Sequence, residues 1–479
     1  MKDLIATSAK YSSNSTATIM EKIQAGETMI KMDDLKEIKD ISDIMDELAT
    51  EVEEKTMSNP FPKSMLKMDQ FGEKTESLSP SEEDVVLFMN QVLSPSTFVP
   101  SAKKPRKYNV GYVIRGTNRL ADGNKLIDAI DDALEKKSPY LKDRLSFYLV
   151  EDPASQTMDM ELNEPNEAAQ PMLLVTSVDI LEGTNQRIGR VLATGLGLAT
   201  SYLFSIFPFT FNEVINKRVE TAISLGSQDL GFLTELTEPL FFTTLGIVAV
   251  HELGHLAVAS IYKFKTSFPT LIPSPAIGLS SSITRLKKSP KNRQQLLDFA
   301  LAGPWAGIVC SLISLFIGLQ LTATMDAESF AKLPALPTSF LQSSTLISSI
   351  IDGVLDIGLL RAPDPTFPVP LHPAAIAGYA GLLFNALNLI PYGRTDGGRI
   401  ALALFGRNAA GFLNGFSLIT LFIAGLGNDT FLLYFLFVFL FQGDPEIPLR
   451  NEIDDVGLVR VALSLFTAAF VIMTLVPIS

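Results

Sequence analysis

His251-Glu252-Leu253-Gly254-His255 sets two imidazoles and a carboxylate at the spacing of an H-E-x-x-H motif. The chain has three histidines in 479 residues, and this pentapeptide holds two of them. On a helix, residues four apart share a face, so His251 and His255 can grip one zinc ion together. Glu252 then points about 100° away from His251, which suits a general base beside the metal rather than a third ligand. The pentapeptide lies inside an apolar stretch running from about Pro239 to Ile261. Ionisable side chains at mid-membrane cost about 2.5–3.5 kcal/mol each even on a lenient scale, so they mark function by default.

A catalytic zinc takes three protein ligands and keeps one position open for water. His372 is the remaining histidine. The topology below puts it on the opposite membrane face, where it reads as an interfacial or capping residue. A carboxylate is the better choice. Asp396 lies at the end of an apolar span, within a run from Asn385 to Arg399, where Gly397 and Gly398 let the backbone turn sharply.

The elements that must position these groups are mostly membrane helices. Almost all long apolar runs follow Arg190, and they give candidate spans near 191–211, 239–262, 299–322, 373–391, 409–426, 430–442 and 457–477. Between the second and third, Phe268 to Ile283 carries Pro269, Pro273, Pro275 and Gly278. Such a segment cannot cross as a helix; it fits a strand-and-loop element tucked against the site. Before the spans, Tyr108 to Ile114, Leu145 to Val150 and Met172 to Val178 are strand-like, and Leu126, Ile127, Ile130 and Leu134 make the apolar face of a helix. Leu35, Ile38, Ile41, Met45 and Leu48 describe one amphipathic helix in an otherwise polar, acidic arm. The fold class expected is therefore mainly α: a polytopic membrane helical bundle of about 6–8 spans, with a small soluble α/β N-terminal domain and a disordered acidic arm. The boundaries fall at 1–104 for the arm, 105–185 for the α/β domain and 186–479 for the membrane domain.

Seven Lys and Arg residues between Lys263 and Arg293 lie on the same membrane side as the α/β domain. The positive-inside rule makes that side cytoplasmic or stromal. A net charge of −13 lacks the basic footprint of nucleic-acid binding. A single cysteine, Cys310, excludes an internal disulfide and reads as a buried small hydrophobe.

Taken together, the motifs resemble those of the site-2 protease family of intramembrane zinc metalloproteases. Asn388, Pro391, Asp396 and Gly397 match that family's N-x-x-P-x-x-x-x-D-G pattern. Within it the chain is most similar to the plastid and cyanobacterial ethylene-dependent gravitropism-deficient and yellow-green branch. Leu301-Ala302-Gly303-Pro304 resembles that branch's third-span signature. Arg115-Gly116-Thr117-Asn118-Arg119-Leu120 stands where the branch has G-N-L-R and departs from it. The resemblance covers roughly residues 108 to 477.

The resemblance implies one zinc per chain held by His251, His255 and Asp396, with Glu252 as general base and Asn388 as a hydrogen-bond donor to the oxyanion. It implies cleavage of peptide bonds in or next to transmembrane segments of membrane protein substrates. It also implies a multi-pass protein in the lipid bilayer of a chloroplast membrane, with the N-terminal domain and active site facing the stroma, or else of a cyanobacterial membrane. A catalytically silent scaffold or chaperone on the same fold would lack a ligand or Glu252. Gly303 and Gly307 read as close helix contacts, and Arg399 reads as an interfacial anchor.

Overall fold

The computed structural model describes residues 79–477, apart from 109–110, 121, 152–170, 178–186, 226–230, 264, 274–279 and 428. The amphipathic pattern between Leu35 and Leu48 lies outside the described residues.

The first folded unit is a five-stranded antiparallel sheet. Its strands are β1 (Phe98–Pro100), β2 (Arg106–Tyr108), β3 (Gly111–Asn118), β4 (Leu145–Glu151) and β5 (Pro171–Ser177). The order is β1-β3-β5-β4, with β2 also on β3. Helix α1 (Gly123–Lys137) starts at Asp122, whose side chain accepts from the Asn124 and Lys125 amides. It buries Leu126, Ile127, Ile130 and Leu134, the face its periodicity predicts. They pack with Ile114, Phe147, Leu149, Leu173 and Val175 of the sheet. Val85, Phe88 and Val92 join the same core, so this unit takes in residues well before the expected boundary at 105.

The remainder is helical. Helices of ten residues or more are α2 (Arg187–Ile206), α3 (Glu213–Ser224), α4 (Gly231–Tyr262), α5 (Arg293–Thr324), α6 (Thr345–Leu355), α7 (Pro373–Asn388), α8 (Asp396–Gly425), α9 (Asp429–Phe441) and α10 (Leu458–Leu475). Among the described residues five helices are long and apolar enough to cross a membrane: Gly189–Phe211, α4, α5, α8 and α10. The sequence expectation was of about 6–8 spans, and the remaining apolar runs fold as shorter or merged helices. The run at 373–391 folds as the 16-residue α7, in which every residue but Ala374 is buried. Sixteen residues rise about 24 Å, short of the ~30 Å hydrocarbon layer. Its apolarity matches protein rather than lipid. The run at 409–426 is the distal part of α8, which begins at Asp396 and breaks at Gly406, whose φ is 78°. The run at 430–442 gives only the 13-residue α9.

The proline-broken segment between α4 and α5 forms a two-stranded antiparallel ladder, β6 (Thr270–Pro273) with β7 (Ser280–Ile283). A shorter pair, β8 (Ala335–Pro337) with β9 (Pro368–Pro370), lies between α5 and α7. His372 caps α7, its Nδ1 accepting the Ala374 N–H at 3.1 Å. That is the capping role expected of it.

Candidate metal centre

The core of the site is set by three helices in close approach. α4 presents His251, Glu252 and His255 along the same buried stripe as Leu240, Thr244 and Ile247. α5 lies against it through glycines: a Cβ on Gly303 would run into the His255 imidazole, and one on Gly307 would meet the Asn385 amide at 2.5 Å. The close-contact reading of both glycines thus has a cause, since each makes room for a polar side chain of the site. α8 enters at Thr395, whose hydroxyl accepts the Gly398 amide at 3.1 Å. That cap places Asp396 in the first turn, facing α4.

The two imidazoles have fixed tautomers. His255 Nδ1 lies 2.8 Å from the Phe299 carbonyl, which can only accept, so Nδ1 carries the proton. His251 Nδ1 lies 2.8 Å from Asn385 Oδ1. Asn385 is held in that sense because its Nδ2 donates to the Gly381 carbonyl at 2.7 Å. Both Nε2 lone pairs are therefore bare, and they face each other at 3.1 Å. Asp396 completes the triangle, with Oδ2 at 3.4 Å from His251 Nε2 and Oδ1 at 3.3 Å from His255 Nε2. Two bare lone pairs and a carboxylate repel one another unless a cation sits among them.

The spacing fits a particular cation. Donors about 2.0–2.1 Å from a tetrahedral zinc stand about 3.3 Å apart. The charge fits too. Three buried carboxylates (Glu252, Asp396 and Glu446) stand against one buried guanidinium, Arg399. A divalent ion balances the difference, while Arg394 and Asp444 nearby pair with each other at 3.7 Å. A His251, Glu252 and His255 grouping also has its donor atoms within 4.8 Å. Glu252 is the weaker ligand of the two carboxylates, because both its oxygens are engaged elsewhere. Ser282 of β7 donates to Oε1, and Thr284 donates to Oε2.

The strand-and-loop element expected beside the site is therefore in direct contact with the prospective base. Between them lies a cavity of about 20 Å³ lined by Glu252, His255, Asn388 and Asp396. That is room for about one water or ion, not for a peptide. Asn388 lines the cavity, and Asn385 is an amide that touches a histidine. Asn385 lies one helical turn earlier on α7, and nothing in its spacing distinguished it.

Arg399 is a correction. Expected as an interfacial anchor, it is 3% exposed. Its Nε donates to Glu446 at 2.6 Å and its Nη2 to the Thr284 carbonyl at 2.8 Å. Burial alone would push the Glu446 carboxyl up, but the Arg399 and Arg394 guanidiniums outweigh it and hold the group below its usual range.

Residues 240–424, which contain every one of these groups except Glu446, Asp444 and the N-terminal part of α4, match the profile described as Peptidase family M50. Over this segment the chain is similar to peptidase family M50. Among curated relatives, the chain is 36% identical over 243 residues to the probable zinc metalloprotease EGY1, chloroplastic, of Arabidopsis thaliana, covering 50% of this chain and 43% of that protein. The probable zinc metalloprotease EGY2, chloroplastic, of the same plant is 34% identical over 215 residues, covering 45% of this chain and 37% of that protein. The probable zinc metalloprotease EGY3, chloroplastic, of Oryza sativa subsp. japonica is 32% identical over 250 residues, covering 50% and 42%. The chain thus spans about two fifths of the length of the curated relatives it matches. The solved site-2 protease from Methanocaldococcus jannaschii aligns at 19% identity over 50% of this chain and 85% of that chain, with a TM-score of 0.28.

Proposed function

We propose that this chain is an intramembrane zinc metalloprotease that hydrolyses peptide bonds within or next to transmembrane segments of membrane protein substrates. The observation that carries the reading is the triangle of His251 Nε2, His255 Nε2 and Asp396 at 3.1–3.4 Å, with both ring lone pairs bare. His251, His255 and Asp396 would hold one zinc. The ion, when bound, supplies Lewis acidity toward a water and the scissile carbonyl. Glu252 accepts the proton of the attacking water as its oxygen bonds to the carbonyl carbon. It then delivers that proton to the leaving nitrogen as the C–N bond breaks. Asn388 donates a hydrogen bond to the tetrahedral oxyanion, a contribution of about 3 kcal/mol in a dry site. All these residues are present, so nothing favours a silent scaffold.

A substrate helix must unwind, because its peptide groups are hydrogen-bonded and shielded. Among the described residues the β6–β7 ladder has two strands and α2 packs against β6, so an unwound segment would add as a strand on the β7 side. Entry also requires Ser282 and Thr284 to leave Glu252, since the cavity between them is water-sized. The relatives' chloroplastic names and the five apolar helices support a multi-pass plastid membrane protein. The basic segment from Lys263 to Arg293 supports a stromal face for the α/β unit and the site.

The test is purified full chain against Glu252→Gln, with zinc content and cleavage of a membrane-helix substrate measured on both. We expect equal zinc and a fall in cleavage of about 10²–10⁴-fold. Equal cleavage by the two proteins sinks the protease reading, and folded protein that takes up no zinc sinks the metal site.

A further inference from the structure

Arg399 makes contacts that an ion pair with Glu446 does not require. Its three nitrogens reach three separate parts of the molecule. Nε donates to Glu446 Oε2 at 2.6 Å, in the segment after α9. Nη2 donates to the Thr284 carbonyl at 2.8 Å. Nη1 lies 3.5 Å from Asp396 Oδ1, one helical turn away. Thr284 is the residue whose hydroxyl holds Glu252 Oε2, and Asp396 is the carboxylate facing both bare imidazole nitrogens. The guanidinium carbon also stands 5.4 Å from the Phe299 ring centroid, and the carbonyl of Phe299 fixes the tautomer of His255. One planar fork thus touches the metal-facing half of the site and the base-holding half at once.

A buried ion pair is weak evidence of a stabilising role, since desolvation offsets most of its attraction. Arginine suits a different task, because its donors are fixed in one plane and set the relative positions of whatever they bind. We propose that Arg399, held by Glu446, is a positioning residue that ties the Asp396 carboxylate to the Thr284 strand end and so sets the distance between the metal ligands and Glu252. The proposal rests on the metalloprotease reading of the same site. It adds that the two halves are registered by a side chain that is neither a metal ligand nor the base.

The test uses full-length protein carrying Arg399→Gln, Arg399→Lys or Glu446→Gln beside wild type. Amide hydrogen exchange over residues 280–286 is measured on zinc-free protein, and visible absorption on protein loaded with Co²⁺ in place of zinc. kcat and KM are measured on the zinc form. Loss of the tie in Arg399→Gln gives exchange at 280–286 at least about tenfold faster, and an altered cobalt spectrum as Asp396 shifts. It gives a fall in kcat of about 10–100-fold with KM within about twofold, the scale on which outer partners of a metal site act. Arg399→Lys keeps the charge but cannot reach three partners, and it recovers only part of each signal. Wild-type exchange and a wild-type cobalt spectrum in Arg399→Gln overturn the proposal. If that variant does not fold, Glu446→Gln decides: faster exchange confined to 280–286 supports the tie, and wild-type exchange there overturns it. Should wild type itself bind no cobalt, the protease reading fails while the exchange result still judges the tie.

Discussion

Asn385 shows how much of the chemistry is set one layer behind the ligands. Its Nδ2 is committed to the Gly381 carbonyl, so Oδ1 is the atom presented to His251 Nδ1. Remove that acceptor and the ring loses its reason to keep the proton on Nδ1, and the Nε2 lone pair is no longer assured. Asn385→Ala should lower zinc affinity about 10–100-fold. Asn385→Asp, which keeps an acceptor, should retain most of it. Competition with a chromogenic chelator measures both, and an alanine variant with wild-type affinity would remove Asn385 from the site. The same residue marks the limit of reading side chains from sequence. His251, Glu252 and His255 were legible because helical spacing alone puts them together, and Asp396 because a glycine pair and a span end isolate it. Asn385 and Arg399 were not legible, since their partners lie on other helices and only packing brings them within reach.

At the level of elements, the α4–α5 approach is the contact on which the site depends. Gly303 has no room for a side chain: the space a Cβ would take is filled by the His255 ring. Gly246, on α4, has nothing within 4 Å of the same construction and serves as a control. Gly303→Ala should destabilise by about 1–3 kcal/mol through overpacking and reduce zinc retention along with it. Gly246→Ala should be neutral or slightly stabilising, since alanine is favoured over glycine in helices by about 1 kcal/mol. Thermal unfolding in detergent with zinc analysis of the same samples checks the pair, and a Gly303→Ala protein as stable and zinc-replete as Gly246→Ala would contradict the packing argument. The long helices were readable from apolar runs, and α1 with β3, β4 and β5 from periodicity, whereas α3, α6, β1 and β2 were not. What sequence could not separate was burial in lipid from burial in protein. α7 looks like a span by composition, yet it is enclosed by neighbours that include α4 and α5. Nor could hydropathy find the start of α8, because Asp396 and Arg399 are polar residues satisfied by partners rather than by water.

For the folded unit as a whole, the segment between α9 and α10 joins the sheet to the site. Glu446 on it pairs with Arg399, and Glu452 receives Arg407 at 2.6 Å. A few residues on, the Leu149 amide of β4 donates to the Arg450 carbonyl at 2.8 Å, and the Glu452 amide returns to the Leu149 carbonyl at 2.9 Å. The strap therefore extends the sheet at its β4 edge. Arg450 forks onto Asp131 of α1 at 2.6 and 2.7 Å. Asp454 then takes the Gly123 and Asn124 amides at 3.1 and 3.0 Å, a carboxylate at the positive end of α1. Of these ties the Asp454 cap is the stronger candidate for an anchor. Arg450 and Asp131 are both partly exposed, and such pairs contribute about 0–1 kcal/mol. Hydrogen bonds to a charged acceptor contribute about 1.5–3 kcal/mol, and here the Gly123 amide is held by Asp454 while the Asn124 amide is shared between Asp454 and Asp122. Asp454→Ala should thus loosen the strap, raising amide exchange over residues 446–455 about 10–100-fold, the factor that corresponds to roughly 1.4–2.8 kcal/mol. Asp131→Ala should raise it only a few-fold. Because Glu446 rides on the same strap, cleavage should fall in the Asp454 variant more than in the Asp131 variant, although neither residue is near the cavity. If Asp454→Ala leaves exchange across the strap unchanged, the sheet is merely adjacent to the membrane bundle, and its docking has no hold on the site.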